Sequence, residues 1–228
     1  MGTGPGLRER KKQRTREHLI ETARRLFAAR GFEQVSVVEI AREAKVAPAT
    51  VFNYFPTKED LVFHPLEQFE ERLLEAIRGR PAGESVLEAF GRFILEPGGF
   101  FAAPDEAAAR ERMELAAMIT RSPSLQARER QIVARSAERL AALIAAEIRA
   151  PAGDLRPRVT ATAMIGLHHA LIAYVRERLA DGERDRRRLA RDVRRRGDAA
   201  LALLAHGLGD YARKRSSKRS REARGSAG

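Results

Sequence analysis

The 228-residue chain contains no cysteine and no tryptophan. Without thiols there can be no disulfide, no thiolate nucleophile and no cysteine-ligated metal. No stretch reaches the roughly 18 consecutive apolar residues that a spanning helix needs. The longest apolar run, Ala161 to Val175, is interrupted by Gly166, His168 and His169. The N-terminus lacks the apolar core of a secretion signal. A soluble cytoplasmic protein with no membrane contact is expected, nucleoid-associated if its partner is DNA. Nucleophile-elbow, phosphate-loop and HExxH spacings are also missing, and the glycines at Gly2, Gly4 and Gly6 follow no strand pattern. Neither an enzyme nor a cofactor is expected. Adjacent His168 and His169 lack a third placed ligand, so no metal site is expected either.

What the chain does have is charge in particular places. The net charge is +12, with lysine at only six positions and arginine at 37. Residues 1–16 carry six basic side chains against one glutamate, and residues 211–228 carry seven against one, which leaves +1 for everything between. Two basic arms on a near-neutral body suit a polyanion such as nucleic acid, or serve only to solubilise the ends. Hydrophobic residues, at 43%, suffice for a core.

Helical periodicity dominates, and no segment alternates with period two. A first helix over about 12–30 puts Leu19, Ile20, Ala23, Leu26 and Phe27 on one face and stops at Gly31. Ser36 opens a short helix with Glu39 three residues on, a capping box. Lys45-Val46-Ala47 forms a turn, and Pro48 stands at the first position of a helix over 48–54. Thr57, paired with Asp60, caps a longer helix that runs through Pro65 to about Arg78, with a kink expected at the proline. Further helices are expected at 84–95, 105–120, 124–149, 156–179 and 186–208, so the fold class is all-α with about nine helices. Three short helices in tight sequence form a helix-turn-helix unit. The division reads as a basic arm (1–13), a DNA-binding unit (14–60, motif about 36–55), a helical effector-binding and dimerisation region (61–210) and a disordered basic tail (211–228).

Residues 31–61, GFEQVSVVEIAREAKVAPATVFNYFPTKEDL, carry Gly31, Phe32, Ser36, Ile40, Ala41, Ala44, Val46, Thr50, Phe52, Tyr54, Phe55, Thr57, Lys58, Glu59 and Leu61 at the signature spacing of one family. The chain resembles the TetR (tetracycline-repressor) family of bacterial transcription regulators. Residues 110–131, RERMELAAMITRSPSLQARERQ, resemble an actinobacterial subgroup that includes regulators of mycofactocin clusters. Two departures stand out. Lys45 replaces the usual turn glycine, at about 1 kcal/mol if the position is left-handed. Ala47 replaces a serine cap worth about 1 kcal/mol.

The resemblance implies a regulator, most simply a repressor, that binds palindromic double-stranded operator DNA as a homodimer and is released by a small apolar or amphipathic effector. The second helix of the motif enters the major groove. Ala47, Pro48, Ala49, Thr50 and Asn53 would face base edges. Ser36, Tyr54 and Lys58 would anchor the backbone, and Lys45 would reach a phosphate. Arg8, Arg10, Lys11, Lys12 and Arg14 either reach the minor groove and adjacent phosphates or belong to a loose arm. Phe52 and Phe55 are read as core. The other readings are a ligand-independent architectural DNA-binding protein and an enzyme built on the second region.

Helix 156–179 is apolar almost all round, so it must touch more than its own core. With helix 186–208 (Leu189, Val193, Ala200, Leu204, Leu208) it resembles the family's four-helix dimer interface, and a charge at Leu171 or Leu204 is expected to give monomers or insoluble protein. The arginines of 184–196 read as a solvated face. The resemblance places an effector cavity among the remaining helices. Phe63, His64, Phe69, Phe90, Phe93, Phe101, Met113, Met118, His168 and Tyr174 are its candidate walls.

Overall fold

The computed structural model describes residues 6–96 and 106–207, without the side chains of 65, 67, 106–113 and 186. Among these residues it is all-helical: α1 (Leu7–Arg30), α2 (Val37–Glu43), α3 (Pro48–Tyr54), α4 (Asp60–Arg78), α5 (Val86–Leu95), α6 (Glu106–Arg121), α7 (Pro123–Glu147), α8 (Arg156–Ala180) and α9 (Arg186–His206). None of the described helices is long and apolar enough to cross a membrane. Phe101, the Met113 side chain and the tail 211–228 lie outside the described residues.

The first helix begins five residues earlier than the apolar pattern marks it. Between Gly6 and Gly31 no glycine or proline intervenes, and Lys, Arg, Gln and Glu propagate a helix well without a buried face. Its first buried residue is Leu19, so Arg8, Arg10, Lys11, Lys12 and Arg14 project on about two turns of helix. At the other end Gly31 turns the chain at φ 82°, its N–H bonded to Phe27 O at 2.8 Å. Phe32 folds back on Phe27 with ring centroids 5.0 Å apart.

The Ser36 box of α2 and the start of α3 at Pro48 form as the sequence expects, whereas α4 has Glu59, not Thr57, at its N-cap and no side-chain bond from it. Ser36 Oγ accepts from Glu39 N–H at 3.2 Å while Ser36 N–H donates to Glu39 Oε2 at 2.8 Å. Val46 N–H reaches back to Ala41 O at 2.9 Å across Lys45, whose φ is 57°. Ala47 caps α3 without a side-chain bond, leaving Pro48 to start the helix. Thr57 and Asp60 bond reciprocally, at 2.9 and 3.3 Å, immediately before α4. Lys45→Gly is accordingly expected to raise stability by about 0.5–1 kcal/mol, the relief of a β-carbon at positive φ less the added freedom of the unfolded chain. A thermal melt shows it as a Tm rise of a few degrees; a lower Tm would mean that the Lys45 side chain contributes more than its backbone costs.

Two buried clusters organise the rest. The first joins Leu19, Phe27, Ile40, Val51 and Phe55 of the first three helices to Leu61, Val62 and Phe63 of α4, and also to Ile119, Leu125 and Ile132 of α6 and α7. The second gathers Phe69, Leu73, Ile77, Phe90, Ile94, Leu140, Met164 and Leu171. Helix α4 runs from one into the other. Helix α8 packs between α7 and α9, and α9 also lies on α5. There a Cβ on Gly91 would stand 2.6 Å from Leu201, and one on Gly197 would stand 2.5 Å from Leu95. Each glycine is the notch for the other helix's leucine.

Candidate nucleic-acid interface and effector cavity

Helix α3 has two unlike faces. Val51 and Phe55, four residues apart, point into the first cluster. Pro48, Ala49, Phe52 and Asn53 point outward, with Ala47 at the helix start exposed and Thr50 half-buried. Phe52 corrects the expectation of a core residue: it is 50% exposed. The reason is angular. Phe52 lies one residue, about 100°, round the helix from Val51, on the side of Pro48 and Ala49. The outward face is thus more apolar than the sequence suggests, with Asn53 and Thr50 as its hydrogen-bonding groups.

The supporting residues differ in how they are held. Ser36 and Lys45 are exposed, and Tyr54 is half-buried against the first cluster. Lys58 is engaged within the fold: its ammonium donates to Phe32 O at 2.9 Å and Val35 O at 3.1 Å and lies 4.0 Å from the centre of the Phe32 ring. It thereby pins the α1–α2 turn to the start of α4. Nothing in local spacing announces a contact 26 residues away. Asp60, next along, accepts from Arg128 of α7 at 2.6 Å, and Glu33 accepts from Ser122 at 2.5 Å. The helix-turn-helix is therefore tied to the body by polar contacts as well as by apolar packing.

Between α4, α7 and α8 lies a cavity of about 30 Å³ walled by Leu66, Phe69, Leu73, Ile132, Ile165, His168 and Ile172. That is room for a water or two. His168 stacks flat on Phe69, centroids 4.6 Å apart at 10°, and Phe93 tilts against Phe69 at 5.1 Å. Two carboxylates complete the wall, both already matched. Glu70 accepts from Ser136 at 2.7 Å and Arg139 at 2.6 Å. Glu129 accepts from Arg176 at 2.6 Å, with His169 3.9 Å away. Burial pushes the Glu129 carboxyl up, but His169 nearby and the hydrogen bonds and charge of Arg176 outweigh it and hold the group at about 2.

Of the candidate walls, Phe69 and His168 line this cavity and Phe93 backs it. Phe63 is part of the first cluster instead, Phe90 is fully enclosed in the second, and Met118 packs half-buried against the first. His64 sits edge-on to Phe55 at 5.8 Å, and Tyr174 lies beneath the Arg196 guanidinium at 4.4 Å. The sequence reading missed Glu70 and Glu129, because a glutamate on a charge-rich helix carries no sign that its partner waits on another helix. Among the described residues no cluster of three or more His, Asp or Glu is placed to hold a metal.

Burial, followed by the charge of neighbouring His169, depresses His168 to about 3. The folded protein thus keeps the ring neutral while the unfolded chain protonates it near 6.5. Stability from this group is intact above pH 6.5 and falls as the pH drops, by up to about 1.4 kcal/mol per pH unit. His168→Phe is expected to flatten the Tm-versus-pH curve between pH 6.5 and 5, above the range where carboxylates titrate. An unchanged slope would show that His168 is not the group responsible.

Residues 19–64 match the family described as bacterial regulatory proteins, tetR family. Residues 84–209, over half the chain, match the MftR C-terminal domain. MftR of Mycobacterium tuberculosis, a transcriptional regulator named for mycofactocin biosynthesis, is 30% identical over 172 residues, covering 72% of this chain and 80% of that one. The chain belongs to the TetR family. Both the fold, with its N-terminal helix-turn-helix and helical C-terminal region, and the role as a DNA-binding transcriptional regulator follow from membership. TcmR of Streptomyces glaucescens, also an HTH-type transcriptional regulator, is 45% identical over 86 residues, which is 38% of either chain and so well under two thirds of TcmR's length. Among solved structures, NalD of Pseudomonas aeruginosa, the secondary repressor of the MexAB-OprM efflux pump, shares the fold at TM-score 0.53 and 24% identity, covering 82% of this chain and 97% of that one. The matched families and these relatives are regulators, which sets the chain among regulators and not enzymes.

Proposed function

We propose that this TetR-family regulator is a repressor that binds a palindromic operator as a homodimer and lets go when a small apolar or amphipathic molecule enters the cavity between α4, α7 and α8. One observation carries the reading: α4 begins at the Thr57–Asp60 box beside α3 and passes along the cavity wall at Leu66, Phe69, Glu70 and Leu73. A single rigid element touches both sites. In this reading residues 14–60 read DNA and 61–210 bind effector and partner, although Leu61, Val62 and Phe63 pack with the first unit. The exposed edge of α3 enters the major groove, with Asn53 and Thr50 hydrogen-bonding to bases and Pro48, Ala49 and Phe52 making apolar contact, for example with thymine methyl groups. Ser36, Lys45 and Tyr54 hold phosphates, as does the remaining N–H of the Lys58 ammonium, which has three donors and spends two on Phe32 and Val35. The basic first turns of α1 supply a sequence-independent share of affinity.

The test is a randomised-site binding selection run at several salt concentrations. Asn53→Ala should relax preference at particular base positions, costing about 1–3 kcal/mol where the contact is bidentate. Lys58→Ala should weaken all sequences alike and reduce the salt slope by about one unit, together with a lower Tm from the two lost carbonyl contacts. Identical behaviour of the two variants would show the assigned roles to be wrong. Wild-type binding without sequence preference would point to an architectural protein instead.

A further inference from the structure

A second recess, about 250 Å³, opens on the opposite side of the α4–α7 contact from the apolar cavity, and the two share Glu70 and Ile132 as a party wall. Its rim is basic: Arg16 comes from α1, and Arg135 and Arg139 from α7. The carboxylates that face it, Glu70 and Glu71, are both taken by Arg139, at 2.6 and 2.8 Å, and Glu70 is further satisfied by Ser136. Arg16 and Arg135 have no carboxylate partner among the described residues. Three arginines against two glutamates leave one positive charge in excess, aside from His64, which also lines the recess. Ile132 and the hydrocarbon stems of the arginines give the recess an apolar wall beside its cationic rim.

We propose that this recess is a binding site for a small organic carboxylate, held by Arg16 and Arg135 and separate from the apolar cavity. A carboxylate offers the planar, two-oxygen acceptor that a guanidinium fork matches, and the Ile132 wall takes its hydrocarbon body. The site also touches the DNA-reading unit directly. The Arg16 guanidinium lies 5.7 Å from the centre of the Phe55 ring, and Phe55 closes the C-terminal end of α3. An anion that draws Arg16 toward Arg135 withdraws it from Phe55 and changes the support of the recognition helix. Binding at this site goes beyond the repressor reading and does not depend on it, whereas any effect on operator affinity does.

The full chain is titrated with 4-fluorobenzoate, followed by fluorine NMR line width and by thermal melts. 4-Fluorobenzamide serves as the neutral isostere, with inorganic phosphate as the purely ionic control. Expected is saturable binding of the acid, at least tenfold weaker binding of the amide, at least tenfold loss in Arg135→Gln, and no detectable binding in Arg16→Gln/Arg135→Gln. Arg135 is exposed on α7, so its single variant keeps the fold even if the double variant does not, and Arg16→Lys should retain part of the affinity. Equal binding of acid and amide, or binding unchanged in Arg135→Gln, would place the ligand in the apolar cavity and overturn the proposal. Absence of saturable acid binding overturns it as well, and phosphate binding as tight as the acid overturns the organic part of it. Operator affinity measured with saturating acid is read separately: if the acid binds but DNA is unaffected, the site stands and its coupling to α3 fails.

Discussion

Ala170→Glu is expected to turn the protein into a monomer and to weaken operator binding by roughly 10²–10⁴-fold, the factor gained when two half-site contacts are linked. The expectation rests on which side of α8 is left uncovered. Met164, Ile165, Leu167, His168, Leu171 and Ile172 are buried within the single chain, while Thr162, Gly166, Ala170 and Ala173 form an exposed ridge of small side chains along the same helix. Small residues let a second helix approach closely, and a two-fold partner would place the same ridge against itself. The face also separates two substitutions that look alike in sequence. Leu171, 5% exposed and part of the second cluster, belongs to the monomer's core, so Leu171→Glu buries a charge and costs the fold itself. Leu204 is half-buried against that cluster and is a mixed case. Sedimentation velocity at micromolar concentration should show a wild-type dimer and a folded Ala170→Glu monomer. A wild-type monomer, or an Ala170→Glu dimer, would move the interface elsewhere.

The helices were legible in the sequence because their punctuation is local. Gly31, Pro48, Pro81–Gly83, Pro151–Gly153 and Asp181-Gly182 stand where the apolar period breaks, and the Ser36 and Thr57 boxes need only residues three apart. The position of Lys45 was legible for the same reason, since a chain reversal between two helices that close together demands a positive φ whichever residue supplies it. Facing is harder to read. Phe52 and Phe55 have the same apolar character, and what separates them is their angle from buried Val51, about 100° for Phe52 against about 40° for Phe55, which matters only once the neighbours of α3 are known. Partnership between distant charges is hardest. Lys58 with the Phe32 and Val35 carbonyls, Asp60 with Arg128, and Glu129 with Arg176 each join residues 23 to 68 positions apart. In a chain with 37 arginines nothing marks which one a given glutamate will meet. The cavity shows the consequence: residue type marks its aromatic members Phe69 and His168, while nothing in the sequence marks Glu70 and Glu129.

Effector release, if the cavity is its seat, is expected to change operator affinity by roughly 5–150-fold, a coupling of about 1–3 kcal/mol. With room for only a water or two in the cavity, any larger ligand must part α4 from α7 or α8. Movement of α4 at Phe69 is carried along the helix to Asp60, and movement of α7 at Ile132 is carried to Arg128 one turn away; these two ends meet in the Asp60–Arg128 bond at 2.6 Å. Asp60 in turn holds the Thr57 N–H at the exit of α3. Besides the apolar packing of Leu125 and Ile132 against the first cluster, the Asp60–Arg128 ion pair would then carry separation in the cavity to the recognition helix, with the Ser122–Glu33 contact as a parallel tie. Arg128→Gln should leave the ligand-induced rise in Tm largely in place, because Arg128 does not line the cavity, while shrinking the ligand's effect on operator affinity by at least threefold. The loss must be mutual, since coupling free energy is reciprocal: operator DNA should also lose its effect on the ligand's affinity by the same factor. A double-mutant comparison with Glu33→Gln separates the two ties, and additive losses would mean that they act independently. If ligands that raise Tm leave operator affinity untouched in the wild type, the protein binds without switching, and the release half of the proposal falls while DNA reading by α3 survives.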